Sequence, residues 1–364
     1  MNPSLERFGL RVMSGEARGA GPALLRGALA VAEPLYAGAM MARNRLYDAG
    51  VFATYALPKP TISVGNLTTG GTGKTPVVRW MAEQLIARGK HPAILLRGYR
   101  VGGAAHSDEQ QLLQSQLNRD GPAVAVVADP DRRAGAATAL QLQPRTNVFL
   151  LDDAFQHRKV ARDFNLVLIN AAEPFGFGRV FPRGLLREPL RGLRRADAVL
   201  ITRADAVDTS RLETIEAKIR SLHATAPVFR TEHALTGLRH PGGAVEPMSR
   251  LRGRRFFSFS GIGSPDSFHA QLTRAGGVPV GSRWFPDHHA YIEADVAQLA
   301  RDASSAGAEF LLTTEKDWVK LAPIEAAPAM TPPILRVEMR IHFQRAEDEA
   351  ALIDAIEQRI AARH

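Results

Sequence analysis

The sequence predicts an α/β protein with a doubly wound parallel sheet, a second, smaller α/β domain and additional N-terminal helices. Three observations predict it. A glycine-rich run, Thr68-Thr69-Gly70-Gly71-Thr72-Gly73-Lys74-Thr75, sits between a β-branched apolar segment and a helical one. Short apolar strands then alternate with helical stretches, as parallel strands with crossover helices require. Past a stretch punctuated by proline and glycine, the same alternation restarts.

The first strand is expected at Thr61 to Val64 and the helix after the glycine run at Val77 to Arg88, closed by Gly89. Further strands are expected at Pro92–Leu96, Val124–Ala128, Val148–Leu151, Leu166–Asn170 and Ala198–Thr202, with helices at Glu109–Leu117 and Asp131–Gln141 between them. Residues 225–255 carry Pro227, Pro241, Gly242, Gly243, Pro247 and Gly253 and read as an inter-domain connection. Beyond it come strand Phe256–Ser260, helix Ser267–Ala275, strand Val278–Trp284, helix Ala294–Ala306 and strand Phe310–Thr313. Strand Ile334–Met339 and helix Glu347–Arg363 close the second unit. The expected domains are 1–55 (N-terminal helices), 56–235 (the nucleotide-binding domain) and 250–364 (the smaller C-terminal domain).

At 364 residues and 45% hydrophobic content the chain can bury two cores, and a formal charge of +9 calls for anionic partners. The absence of cysteine excludes disulfides and thiolate metal sites. No stretch reaches the roughly 18 uncharged apolar residues of a spanning helix, because Arg26, Glu33, Pro34 and Arg43 interrupt the best candidate. The apolar stretch after Arg26 is too short for a signal peptide, so a cytoplasmic body is expected. Within the first fifty residues, Leu24, Leu25, Leu29, Val31, Leu35, Tyr36, Met40 and Met41 are interleaved with Arg7, Arg11, Arg18, Arg26, Arg43 and Arg45. That composition suits either helices at a membrane interface or a helical pair packed on the domain.

The glycine run carries the chemistry. Gly70, Gly71 and Gly73 permit the φ values and close approach with which backbone N–H groups cradle a phosphate. Lys74 would reach the β- and γ-phosphates and the Thr75 hydroxyl would take a Mg2+ position, so the sheet reads as P-loop NTPase-like and ATP and Mg2+ as its cofactors. Thr68 stands where the usual pattern has glycine. The strand Val148 to Leu151 runs into Asp152 and Asp153, the form of a metal-holding acid pair, and Gln156 and His157 follow at the same strand end. Asp108 or Glu109, after the second strand, could accept a proton from an incoming hydroxyl, and Asp108 could equally cap the helix that follows. The loop Arg183-Gly184-Leu185-Leu186-Arg187-Glu188 has the cations of an anion-binding loop. Adjacent His288 and His289 lack the helical spacing of a zinc site.

Taken together these stretches resemble the tetraacyldisaccharide 4′-kinase family from about Pro60 to Leu321. The marks are Ser63-Val64-Gly65-Asn66-Leu67-Thr68 through Pro76, Arg97-Gly98-Tyr99, Asp152-Asp153 with Gln156-His157, Leu186-Arg187-Glu188-Pro189, Phe259-Ser260-Gly261-Ile262-Gly263, Asp287-His288-His289 and Thr313-Thr314-Glu315-Lys316-Asp317. Thr68 is what that family carries, which turns the departure into a mark. Arg100, the run 102–107 and Ala154 depart from the family pattern.

The resemblance implies transfer of the ATP γ-phosphate to the 4′-hydroxyl of an acylated glucosamine disaccharide 1-phosphate, in lipid A biosynthesis. It implies a peripheral protein on the cytoplasmic face of the bacterial inner membrane, Asp108 as base and His288 as its partner from the second domain, brought in by domain closure. Lys74 is implied as catalytic cation, with Thr68, Thr69, Gly70, Gly71, Thr72, Gly73 and Thr75 around the nucleotide. Thr75, Asp152 and Asp153 are expected at the metal, and Asn66, Gln156, His157, Arg183, Arg187 and Glu188 toward the substrate. The alternative is a partner-activated ATPase of the Gly-Gly-x-Gly-Lys-Thr type, which usually carries Lys where Thr69 stands. A nucleic-acid partner is not expected, because no basic stripe interleaved with aromatics is present and aromatic content is 7%. No obligatory protein partner is expected either.

Overall fold

The computed structural model describes residues 3–98, 108–118, 123–263, 265–287 and 289–362. Helices α1 (Pro3–Ser14) and α2 (Ala20–Asp48) precede β1 (Thr61–Asn66), α3 (Lys74–Ala87), β2 (Pro92–Leu96) and α4 (Asp108–Leu117). There follow β3 (Ala125–Ala128), α5 (Arg132–Leu142), β4 (Val148–Asp152), β5 (Phe164–Asn170), β6 (Ala198–Thr202), α6 (Thr209–Leu222), β7 (Val228–Arg239) and β8 (Val245–Pro247). The remainder is β9 (Arg255–Ser260), α7 (Pro265–Arg274), β10 (Val278–Trp284), α8 (Glu293–Ser305), β11 (Phe310–Thr314), α9 (Glu315–Leu321), β12 (Ile334–Phe343) and α10 (Ala346–Ala361).

The described residues fall into two compact units: those within Met1–Ala105, Gln116–His233 and Ile341–His364, and those within His106–Ser115 and Ala234–Arg340. Among the described elements the chain passes from one to the other within α4, within β7 and again within β12. Residues 341–364, expected in the smaller C-terminal domain, group with the first unit. The stretch expected to be a connection contains the strand β7. Buried Phe229 and Thr231 alternate there with polar Arg230 and Glu232, a two-residue period that the neighbouring prolines and glycines obscure.

In the first unit the strands run β6-β5-β1-β4-β2-β3, all parallel. β1 and β4 sit at the centre, and every residue of both is buried, as expected for strands covered on two faces. Phe149 and Leu151 join Ala93, Leu95 and Val127 in one cluster on α5, while Val167, Ile169, Val199 and Ile201 form another with α6. The register Val64↔Asp152 places the end of β4 beside the end of β1, so the acid pair and the glycine loop emerge from adjacent strands.

The second unit has the parallel order β10-β9-β11-β12, and β8 pairs antiparallel with β7. β9 alternates its aromatics, with Phe257 and Phe259 packing on the α8 side and Phe256 on the α7 side.

Candidate active site

The glycine loop leaves β1 and enters α3 through two left-handed residues, Gly70 at φ 101° and Gly73 at φ 78°, the region that a side chain resists. Asn66 ties the loop entrance: its Nδ2 donates to the Thr68 carbonyl at 2.8 Å. Thr202, at the end of β6, donates from Oγ1 to the Thr72 carbonyl at 2.9 Å. Segment 185–187 runs alongside, with Thr69 N–H donating to Leu185 O and Arg187 N–H to Leu67 O, both at 2.7 Å. The loop is thus held from three sides before any ligand arrives.

Lys74 Nζ lies 3.3 Å from Asn66 Oδ1 and 3.5 Å from Asp153 Oδ1. Asp153 also receives Arg187 Nη1 at 2.8 and 2.9 Å on its two oxygens. Burial alone would raise the Asp153 carboxyl pKa, but the charges of Lys74 and Arg187 outweigh it and hold the group below the usual carboxylate range. Its backbone is left-handed at φ 49°, unusual for a residue with a side chain and of the kind that collects at functional sites. Asp152 is 4% exposed, and its carbonyl accepts from Arg132 Nη2 at 3.1 Å.

Gln156 donates through Nε2 to Asn66 O at 2.8 Å and to Glu188 Oε1 at 3.2 Å. Glu188, expected toward the substrate, is fully buried instead. Its carboxylate accepts from Arg195 Nη2 at 2.7 and 2.9 Å and from Asn44 Nδ2 at 2.7 Å, which makes it an internal strut. The His157 Nε2 atom is buried, and burial followed by the nearby Arg132 charge pushes the ring down to about 4. Arg183 pairs with Glu33 of α2 at 3.5 Å. Tyr36 of the same helix donates to the Arg187 carbonyl at 3.1 Å, so α2 is attached directly to segment 183–188.

Asp108 begins α4 in the second unit, where its Oδ2 lies 3.0 Å from Lys320 Nζ. His288 and residues 99–107 lie outside the described residues. Sequence reasoning missed Thr202, Arg132, His233 and Lys320. Thr202 had been read only as a strand end and Lys320 lies three residues beyond the Thr313–Asp317 motif, although a polar residue closing a parallel strand is a signal that ligand-facing loops share.

Lys74, a strand-end acid pair and a helix N-terminus around one loop define a phosphate-loop nucleotide-binding protein. The comparisons narrow this class. The family model described as Tetraacyldisaccharide-1-P 4'-kinase matches residues 25–361. The tetraacyldisaccharide 4'-kinase of Geobacter metallireducens is 41% identical over 81% of this chain and 88% of its own. That of an Anaeromyxobacter species is 38% identical, covering 94% of each chain. The crystal structure of LpxK from Aquifex aeolicus in complex with ATP matches with a TM-score of 0.71 at 30% identity, covering 92% of this chain and 99% of that one. The chain belongs to the tetraacyldisaccharide 4'-kinase family. It is an ATP-dependent lipid kinase of lipid A biosynthesis, and the partner-activated ATPase reading is not favoured.

Proposed function

We propose that the protein transfers the γ-phosphoryl group of ATP to the 4′-hydroxyl of an acylated glucosamine disaccharide 1-phosphate, working on the cytoplasmic face of the inner membrane. The observation that carries this is Lys74, held by Asn66 and Asp153 at the mouth of the glycine loop in a chain of this family. As the hydroxyl oxygen bonds to the γ-phosphorus, the bond to the β-bridging oxygen breaks and ADP departs, and Asp108 accepts the hydroxyl proton. His288 partners Asp108 in this reading. Lys74 and the loop amides offset charge on the transferred group, which is where most of the catalysis of phosphoryl transfer resides.

A Mg2+ ion fits the donor set. It binds through one or two carboxylates together with phosphate oxygens and water, so no larger cluster of protein ligands is needed. Asp152 and Asp153, where β4 ends, are proposed with the Thr75 hydroxyl as the protein's ligands. When bound, the ion would neutralise phosphate charge. Arg183, whose side chain is 34% exposed, and Arg187 are proposed to meet the substrate's 1-phosphate.

The membrane reading is supported by α2. Leu24, Val31 and Leu35 are 76%, 72% and 75% exposed and recur at seven- and four-residue spacing along one face. The acid within that stretch turns elsewhere, since Glu33 accepts from Val180 N–H at 3.0 Å. No described helix is long and apolar enough to cross a membrane, so this stripe suits the interface rather than the interior. The deciding experiment incubates the purified protein with ATP, Mg2+ and a 1-phosphorylated acyl-disaccharide. A 1,4′-bisphosphate product is expected; release of inorganic phosphate with the lipid unchanged would refute the proposal.

A further inference from the structure

The second unit is tied together by a buried carboxylate that faces neutral donors. Asp317 is fully buried, and its Oδ1 accepts from Gly261 N–H and Tyr291 O–H, each at 2.9 Å. Its Oδ2 accepts from Thr314 Oγ1 at 2.6 Å, and Thr314 Oγ1 in turn accepts the Asp317 N–H at 3.1 Å, capping α9. The turn after β9, the segment at Tyr291 and the start of α9 therefore meet on one side chain. A seven-residue helix has little stability of its own, so this hub fixes where α9 points.

α9 carries two lysines at i, i+4 spacing, and each meets an acid. Lys316 Nζ donates to Asp287 Oδ1 at 3.0 Å, next in sequence to His288. Lys320 Nζ lies 3.0 Å from Asp108 Oδ2, and its side chain is only 10% exposed against 34% for Asp108. A lysine so nearly withdrawn from water costs stability unless its charge is offset, and Asp108 offsets it. A carboxylate at the first turn of a helix can rotate away from its target, and a cation fixed at one oxygen holds the other in a defined direction.

We propose that Lys320 is a positioning residue for phosphoryl transfer: anchored through α9 by the Asp317 hub, it orients Asp108 and offsets its charge. This rests on the reading of Asp108 as the base. In this role Lys320 acts through Asp108, the acid its ammonium meets.

The test is a double-mutant cycle on the full chain with saturating lipid, measuring kcat and the KM for ATP. Lys320→Met, which keeps the aliphatic stem, is expected to lower kcat roughly 10- to 100-fold, with the KM for ATP changed less than about twofold. Lys320→Arg is expected to restore most of that loss, and in an Asp108→Asn background Lys320→Met is expected to add nothing. Normal turnover by Lys320→Met beside an inactive Asp108→Asn overturns the positioning role and leaves the base intact. Full turnover by Asp108→Asn removes the base reading, and the proposal with it. A Lys320→Met loss that Lys320→Arg fails to rescue, or that appears as a raised KM for ATP, assigns Lys320 to the fold and also overturns the proposal.

Discussion

Arg187 holds Asp153 through a single nitrogen, with Nη1 2.8 and 2.9 Å from the two carboxylate oxygens, while Lys74 approaches the same carboxylate at 3.5 Å. One acid thus balances two cations at the mouth of the phosphate loop. Arg187, with the two shorter contacts, is the closer of the two cations that compensate Asp153.

Arg187→Ala is therefore expected to lower kcat/KM by about 10- to 100-fold, the range for removing a charge-assisted contact beside a reacting group. Because Nη1 alone makes both contacts, Arg187→Lys is expected to recover part of the loss by placing a point charge there. The pH dependence follows from the depressed Asp153 pKa. Stabilisation from such a group is present above its unfolded pKa and is lost as pH falls through its folded pKa. Removing Arg187 raises the folded pKa, so the acid-side fall in activity begins at higher pH. A pH–rate profile of Arg187→Ala superimposable on the parent would refute this.

Gly73 and Gly71 separate two demands made on the loop. Gly73 is left-handed at φ 78°, and an added Cβ would sit 3.3 Å from His233 Nε2, whereas a Cβ on Gly71 would meet nothing within 4 Å. Gly73→Ala is expected to cost roughly 1–2 kcal/mol of folding stability from the backbone alone and to weaken ATP binding. Gly71→Ala is expected to leave the melting temperature unchanged and to weaken ATP binding only. Thermal melts with and without ATP make the comparison, and equal destabilisation by the two variants would contradict it.

Those two glycines were legible in the sequence, as were Lys74 and the acids ending β4, because close backbone approach to a phosphate constrains residue type locally. The alternation of strands and helices was legible for the same reason. The supports were not. Glu188 lies in a loop with the cations of an anion site, yet its oxygens are taken by Arg195, seven residues on, and by Asn44, from a helix 144 residues away in sequence. Thr202 and Arg132 reach the site through parallel neighbours far away in sequence, and β7 was hidden among prolines and glycines. Local chemistry is written locally; the partner that completes a buried charge depends on the finished fold.

The α2 stripe makes a prediction about membranes that is independent of catalysis. Replacing Leu24, Val31 and Leu35 together with serine removes three exposed apolar side chains without touching Tyr36 or Asn44, which hold the helix to segment 187–188. At about 1.5–3 kcal/mol for each large apolar side chain buried, cosedimentation with anionic phospholipid vesicles is expected to fall by more than about 100-fold. ATP binding in detergent-free buffer is expected to be unchanged. Undiminished vesicle binding would place the membrane contact elsewhere.

His233 provides a pH signature for the floor of the phosphate loop. Its Nε2 is buried against Gly73, and burial, followed by the Arg203 charge, pushes the ring down to about 4. An unfolded histidine titrates near 6.5, so between roughly pH 6.5 and pH 4 the unfolded chain binds a proton that the folded chain refuses. Stability therefore falls as pH drops through that window, by at most about 3 kcal/mol once pH reaches the folded value. His233→Gln keeps a neutral polar side chain and removes the titration. It is expected to flatten the loss of stability between those two pH values while changing stability at pH 8 by less than about 1 kcal/mol. His157 shares the downward shift, so part of the slope is expected to remain in His233→Gln. Urea unfolding at a series of pH values reads the difference directly: parallel curves for parent and variant would show that the ring is protonated beneath the loop.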